Sequence, residues 1–350
     1  MINKYLIILY FIWCCILSGC VTEQHKIKPK IKNYVYIGGY KVNHDRGDPF
    51  TVDSEGNFYI TNFTDDSRMR IKKYNSQGKY IKCWVPEIIR RKKNCWFLNR
   101  RNPPFERQLT DILADEENIY LSYVAAYGSF IGRGYSDDYT SHIEQYNLNG
   151  KFITARKPEE DTFSMDFVRH IIKDKNGNFH VAFWQHIEKY DANWKFQSVS
   201  YPFKQNKWYT TSKFSEGTII GDLAVDTEGY TYILISGLGC VYSGAIGHIY
   251  KFDSSYNIIK EWKSDGKDKF MAQGLEIDPD NNIYMLETDS NKTYRIQEFD
   301  SNLNFIIKWD FEGDTMENNG TTYTDMKIDS KGNIYVDSGN GKIKKFSPKQ

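Results

Sequence analysis

Three carboxylates and an imidazole recur at one position of a repeated segment: Asp111, His170, Asp222 and Asp325. Each lies four residues before an aspartate that recurs in every segment, and the same position holds Pro49 and Gly274 in the other two segments. Acids gathered beside an imidazole would offer hard oxygen ligands of the kind that calcium or magnesium takes. A competing reading needs no ligand: each aspartate caps its own loop by accepting nearby backbone N–H groups. A second set, His142, His186 and His248, has the residue type of a zinc triad. Arg70, Arg295 and Lys342 fill the same repeat position, however. A place taken by any basic side chain points to packing or hydrogen bonding within each segment.

The segments that must position these groups share the pattern Asp-x-x-Gly-Asn-apolar-Tyr, with small departures. Their anchor aspartates are Asp53, Asp115, Asp174, Asp226, Asp278 and Asp329, spaced 62, 59, 52, 52 and 51 residues apart. Such a period marks a repeat array. A short apolar run precedes each anchor, as in Leu223-Ala224-Val225. The Asp-Gly-Asn chemistry then reverses the chain into a β-branched and aromatic run such as Phe58-Tyr59-Ile60. A third run alternates in polarity, as in Ile71 to Tyr74 or Ile249 to Phe252, and a fourth follows a further turn. Four strands joined in this way make an antiparallel meander, and six meanders around an axis make an all-β, six-bladed β-propeller. The sixth segment has only three runs. Tyr34 to Tyr40 precedes the first segment, and the expectation is that it supplies the missing outer strand and closes the ring.

These residues resemble the NHL-repeat family of six-bladed propellers, which pairs such a hairpin with a basic residue before an Ile-x-x-Phe strand. The resemblance covers roughly residues 34 to 350. It implies a propeller fold and leaves function open, because propellers host binding modules, lyases and hydrolases. Lyases of the NHL-like class place a histidine one residue ahead of the ring above. That position here reads Asp48, Thr110, Arg169, Gly221, Gln273 and Thr324, which speaks against a lyase.

The first residues add a location. An apolar run from Tyr5 to Leu17 is too short to span a bilayer and reads as an export signal. It ends in Leu17-Ser18-Gly19-Cys20, which resembles a bacterial lipobox with Cys20 as the lipidated residue. The expected division is a signal peptide over 1–19, a lipidated cysteine and tether over 20–33, and the propeller over 34–350. Acyl chains on Cys20 would hold the protein to a membrane outside the cytoplasm. Val21 follows the cysteine, and the absence of an aspartate there leans towards an outer membrane. The chain has 46 Lys plus Arg and 45 Asp plus Glu, so losing Lys4 with the signal leaves 45 against 45. That balance excludes a nucleic-acid partner recruited by net charge.

Between the first two segments, Arg90, Arg91, Lys92, Lys93, Arg100 and Arg101 surround Trp96. Basic clusters with aromatics suit an anionic partner, although a solvated loop would have the same composition. Cys83 and Cys95 flank this insertion and could pair in an oxidising compartment, although Cys83, Cys95 and Cys240 are an odd number and make no disulfide framework. Glycine- and tyrosine-rich insertions around 123–141 and 236–247 occupy equivalent places and would emerge on one face. Trp84, Trp262 and Trp309 are expected to end the outer strands of three blades, which points to packing between blades. The expected function is a monomeric, membrane-anchored propeller lipoprotein, without a cofactor, that binds a protein, peptide or glycan. The alternative is an exported metal-dependent lyase or hydrolase with calcium or magnesium at the channel.

Overall fold

Each anchor aspartate ties its turn with both carboxylate oxygens. Asp53 Oδ1 accepts the N–H groups of Glu55 and Asn57 at 3.1 and 2.9 Å. Its Oδ2 accepts Asn57 Nδ2 at 2.9 Å and the Tyr59 hydroxyl at 3.0 Å. Asp329 repeats the set with Lys331, Asn333 and Tyr335, and Asp278 with Asp280, Asn282 and Tyr284. Gly56 takes the left-handed conformation this turn requires, at φ 80°, and Asn281 adopts it in the fifth segment at φ 64°. His180 stands in the tyrosine's place in the third segment, 3.4 Å from Asp174, and its Nδ1 lies 2.9 Å from the Tyr256 hydroxyl.

A computed structural model describes residues 34–41, 49–63, 69–87, 107–127, 138–158, 168–183, 186–203, 218–237, 247–264, 270–289, 293–312, 325–337 and 342–349. They form six antiparallel sheets of four strands. The innermost strands are Phe50–Val52, Arg107–Ala114, His170–Lys173, Thr218–Val225, Met271–Ile277 and Met326–Ile328, in blades one to six. Each packs beside the next, and that of blade six packs beside that of blade one, so the ring is closed. The closing strand is Tyr34–Lys41, paired antiparallel to Lys342–Pro348 from Tyr34 opposite Pro348 to Lys41 opposite Lys342. Blade six is therefore completed from the other end of the propeller, as the unpaired run before the first segment requires.

The core lies between blades. Tyr284, Leu286, Tyr294 and Ile296 of blade five pack with Met326, Ile334, Val336 and Phe346 of blade six. Phe50, Phe58 and Ile60 of blade one pack with Tyr335 and Ile343 of blade six. Each outer-strand tryptophan faces the following blade. Trp262 meets Phe299 at 4.8 Å, and Trp309 stacks on Tyr34 at 5.3 Å. A Cβ on Gly150 of blade two would lie 2.5 Å from the Trp84 ring, so only glycine fits there. The outer strand of blade five runs past Trp309 to Glu312, so that tryptophan does not end its strand.

The turn between third and fourth strands packs in the opposite direction. Gly78 and Gly150 supply its positive φ in blades one and two, whereas Trp194, Tyr256 and Leu303 adopt 62°, 59° and 56° in the next three. The strain is offset by contacts with the preceding blade or within the same blade. Trp194 stacks on Phe179 at 3.9 Å and lies 5.8 Å from Tyr120 of blade two. Leu303 is buried with the Tyr232 and Leu234 side chains of blade four.

Candidate functional site

Asp111 and Asp222 follow a bulge in their strands. In blades two, four and five the inner strand begins before the ring position, and its register shifts at Leu109/Asp111, Ile220/Asp222 and Ala272/Gly274. One residue is left unpaired in each case: Thr110, Gly221 or Gln273. A bulge re-aims the side chain that follows it. The ring residues of these blades thus sit inside a strand, whereas His170 opens its own.

Asp111 and Asp222 each bridge two blades. Asp111 Oδ1 accepts the N–H of Ile112 in its own blade, and Oδ2 accepts that of Ile171 in blade three, both at 2.8 Å. Asp222 repeats this with Leu223 at 2.7 Å and Leu275 of blade five at 2.8 Å. Between them stands His170. Its Nε2 lies 2.7 Å from the carbonyl oxygen of Gly221, which can only accept, so the ring donates there. Nδ1 then faces Asp222 Oδ1 at 3.4 Å and Asp111 Oδ2 at 3.9 Å. The imidazole links blades two, three and four. Asp325 Oδ1 accepts the N–H of Met326 at 2.7 Å in its own blade.

Two further channel residues, Glu276 and Lys327, belong to this cluster and are absent from the ring expected from sequence. They occupy the position two before the anchor, which points the same way along a strand. That position otherwise reads Thr51, Leu113, Ile172 and Ala224, so a Glu and a Lys on neighbouring blades were the available signal. Lys327 Nζ lies 3.0 Å from Glu276 Oε1 and 3.2 Å from Asp325 Oδ1. Burial, with the nearby Asp222 and Asp325 charges, outweighs the attraction of Lys327 and pushes the Glu276 carboxyl up to about 8. Burial, with the Asp222 and Asp111 charges, likewise outweighs Lys327 and raises the Asp325 carboxyl to about 6. Burial pulls the Lys327 ammonium down, but the surrounding carboxylates hold it well above its ordinary value. Asp111, His170, Asp222, Glu276 and Lys327 border a cavity of about 170 Å³, whose wall also includes Leu113, Ile172 and Ala224.

A hard divalent cation takes six or more oxygens converging on one point. No group of three or more His, Cys, Asp or Glu side chains is placed to hold a metal among the described residues. The histidines of the basic repeat position take local partners. His186 is buried and stacks on Phe183 at 4.2 Å, and its Nε2 lies 3.8 Å from Glu188. Burial, with Lys263 nearby, lowers the pKa of His248. Arg295 at the equivalent place donates from Nε to Asp310 at 2.8 Å and lies 3.7 Å over the Phe270 ring. The basic cluster of Arg90, Arg91, Lys92, Lys93, Trp96, Arg100 and Arg101 lies outside the described residues, as do Cys20 and Cys95. Cys83 is exposed on the outer strand of blade one.

No protein-family model matches the chain, and no curated protein matches it. Solved structures do. The WD40 domain of Neurospora crassa Pan2 is 10% identical, with a TM-score of 0.51 over 91% of this chain and 97% of that one. The WD40 propeller domain of Doa1 is 11% identical, with a TM-score of 0.48 over 91% of this chain and 99% of that one. Raptor of Chaetomium thermophilum is 11% identical at 0.48, and 91% of this chain spans 29% of that chain. At 10% identity the likeness to the Pan2 domain is one of fold.

Proposed function

We propose that this protein is an extracytoplasmic lipoprotein of NHL-repeat type, anchored by Cys20, whose propeller is a non-catalytic binding module for a protein, peptide or glycan. The observation that carries the binding reading is the use of Asp111 and Asp222. Both oxygens of each carboxylate already accept backbone N–H groups from two blades. Carboxylates spent in this way favour a rigid scaffold over a metal-dependent hydrolase or lyase. The anchor rests on Leu17-Ser18-Gly19-Cys20 and on the polar, lysine-containing stretch that follows. Two acyl chains or more would hold the protein to a bilayer, since each buried CH₂ contributes ~0.8 kcal/mol. Phase separation in a cloud-point detergent tests the anchor. The wild type is expected in the detergent phase and Cys20→Ser in the aqueous phase. Wild-type protein in the aqueous phase would remove the lipoprotein reading.

A further inference from the structure

The exposed apolar side chains of the propeller are gathered, not scattered. Among the described residues, every large one lies within the first four residues of an outer strand. They are Tyr80 and Ile81 in blade one, Ile153 in blade two, Ile258 and Ile259 in blade four, Phe305 in blade five, and Val35 to Ile37 in blade six. All are 41–54% exposed. Each of these strands is the outermost of its sheet. Their starts lie at the end of the propeller that carries the anchor turns. In blade five, Ile283, just past the Asp278 turn, pairs with Phe299, and Phe299 with Phe305. In blade six, Ile334, just past the Asp329 turn, pairs with Phe346, and Phe346 with Tyr36. Exposed apolar residues placed singly need no explanation, whereas a contiguous set marks a protein or membrane contact. Here five blades of six contribute to one rim; blade three has Phe196 and Gln197 at this place. Exposed Lys79, Lys151 and Lys195 stand just before the outer strand in blades one to three, while Asp253 and Asp300 open the equivalent turns in blades four and five. The rim is thus mixed in charge, and its apolar side chains set its preference.

We propose that this rim is the surface the propeller lays on a lipid bilayer. The inference rests on the lipoprotein reading and names the face and orientation which that reading leaves open. The chain itself singles out the occupant. The stretch 21–33 joins Cys20 to Tyr34, the first residue of the closing strand, and Tyr34 lies at the rim end of blade six. Fully extended, that stretch reaches at most about 50 Å. Acyl chains on Cys20 would therefore keep this end of the propeller close to the headgroups. Tethering makes the second contact intramolecular, so a surface too weak to hold a membrane alone suffices. Half-exposed Tyr, Phe and Ile side chains suit shallow burial at the boundary between headgroups and acyl chains, and lysines beside them keep their ammonium groups among the phosphates. The connections between second and third strands lie at the other end of the blades, which this orientation leaves open to a ligand.

The test is made on the acylated full chain, inserted from outside into preformed vesicles of phosphatidylethanolamine and phosphatidylglycerol. In a Cys83→Ser, Cys95→Ser, Cys240→Ser background, a nitrobenzoxadiazole label is placed through Ile259→Cys at the rim or through Lys263→Cys at the far end of the same strand. Dithionite should reduce the label at position 259 at least five-fold more slowly than the label at 263, and the emission at 259 should be blue-shifted. Ile81→Asn with Ile153→Asn, both at exposed positions, should leave the melting midpoint within about 1 °C and bring the two rates within two-fold. Equal rates before those changes, slower reduction at 263, or protection that survives Ile81→Asn with Ile153→Asn would overturn the proposal. Protection seen only at a high protein-to-lipid ratio would give the rim to a second copy of the chain and would overturn it too. Protein that floats with the vesicles but leaves both labels equally open refutes the docking alone, whereas protein that does not float refutes the anchor.

Discussion

Replacing Tyr34 by alanine should loosen the ring where its two ends meet. The Tyr34 ring stacks on Trp309 at 5.3 Å and meets the edge of Tyr284 at 5.9 Å, both on blade five. Its hydroxyl lies 3.1 Å from the Tyr284 hydroxyl and 3.2 Å from the Gly332 carbonyl oxygen. The two aromatic pairs contribute about 0.5–1.5 kcal/mol each beyond area burial. A hydrogen bond adds about 1 kcal/mol. Because the side chain is only half-buried, the sum is taken as roughly 2–3 kcal/mol, below the range for a fully buried aromatic. The unfolding entropy of a propeller of this length is about 0.7 kcal/mol per kelvin, so the midpoint should fall by roughly 3–5 °C. Tyr36 is two residues along the same strand but 54% exposed. Tyr36→Ala should shift the midpoint by less than about 1 °C, since exposed substitutions usually stay within ±0.5 kcal/mol. Differential scanning calorimetry reads both. Equal shifts for the two variants, or none for Tyr34→Ala, would refute the idea that this side chain fastens the closure.

Removing residues 34–40 should strip blade six of its outer strand and cause aggregation or a much lower melting temperature; removing 21–32 should leave melting unchanged. Gly150→Ala forces a Cβ to 2.5 Å from Trp84 at φ 72° and should destabilise by several times more than Gly229→Ala, which has φ 89° but nothing within 4 Å. The Gly229 change should cost about 1 kcal/mol, the penalty for left-handed alanine, and urea melts of the two variants compare them. Glu276 has a folded-state pKa raised from 4.5 to about 8. Its contribution is fully present below pH ~4.5 and lost as pH rises through 8. Denaturation between pH 4 and 9 should therefore show a declining component that Glu276→Gln removes, and an identical pH slope in the variant would count against the burial of that carboxyl.

How far the sequence carried the reading depended on which features repeat. The anchor aspartates are local: Asp53, Asp278 and Asp329 bond residues two, four and six positions on, so their role is visible in one segment. Closure by Tyr34–Lys41 followed from counting strands. The bulges at Thr110, Gly221 and Gln273 left no mark in composition, because an unpaired residue is set by the partner strand's register. Trp194, Tyr256 and Leu303 hid their turns for the opposite reason: side chains that ordinarily avoid positive φ adopt it here, with interblade packing at Trp194 and Leu303. The pairing of Glu276 with Lys327 joins residues 51 positions apart and needs the ring to bring them together. The partners of Asp111 and Asp222 across the blade boundary were likewise beyond local reading, where only loop capping was foreseen.

The proposal at the centre of this account is that Asp111 and Asp222, which bridge neighbouring blades, act as braces and not as ligands of a catalytic metal. The most direct measurement is calorimetric melting of the wild type and of the Asp111→Asn, Asp222→Asn double variant, with and without chelator, alongside elemental analysis. An asparagine keeps one acceptor oxygen, so each substitution loses one bond of a carboxylate to an N–H, about 2 kcal/mol. The double variant should melt about 6 °C lower by the same unfolding entropy, whether or not chelator is present. The wild type should be indifferent to chelator. Stoichiometric metal in the wild type, with melting that chelator lowers there and not in the variant, would contradict the account and put a metal at the channel mouth.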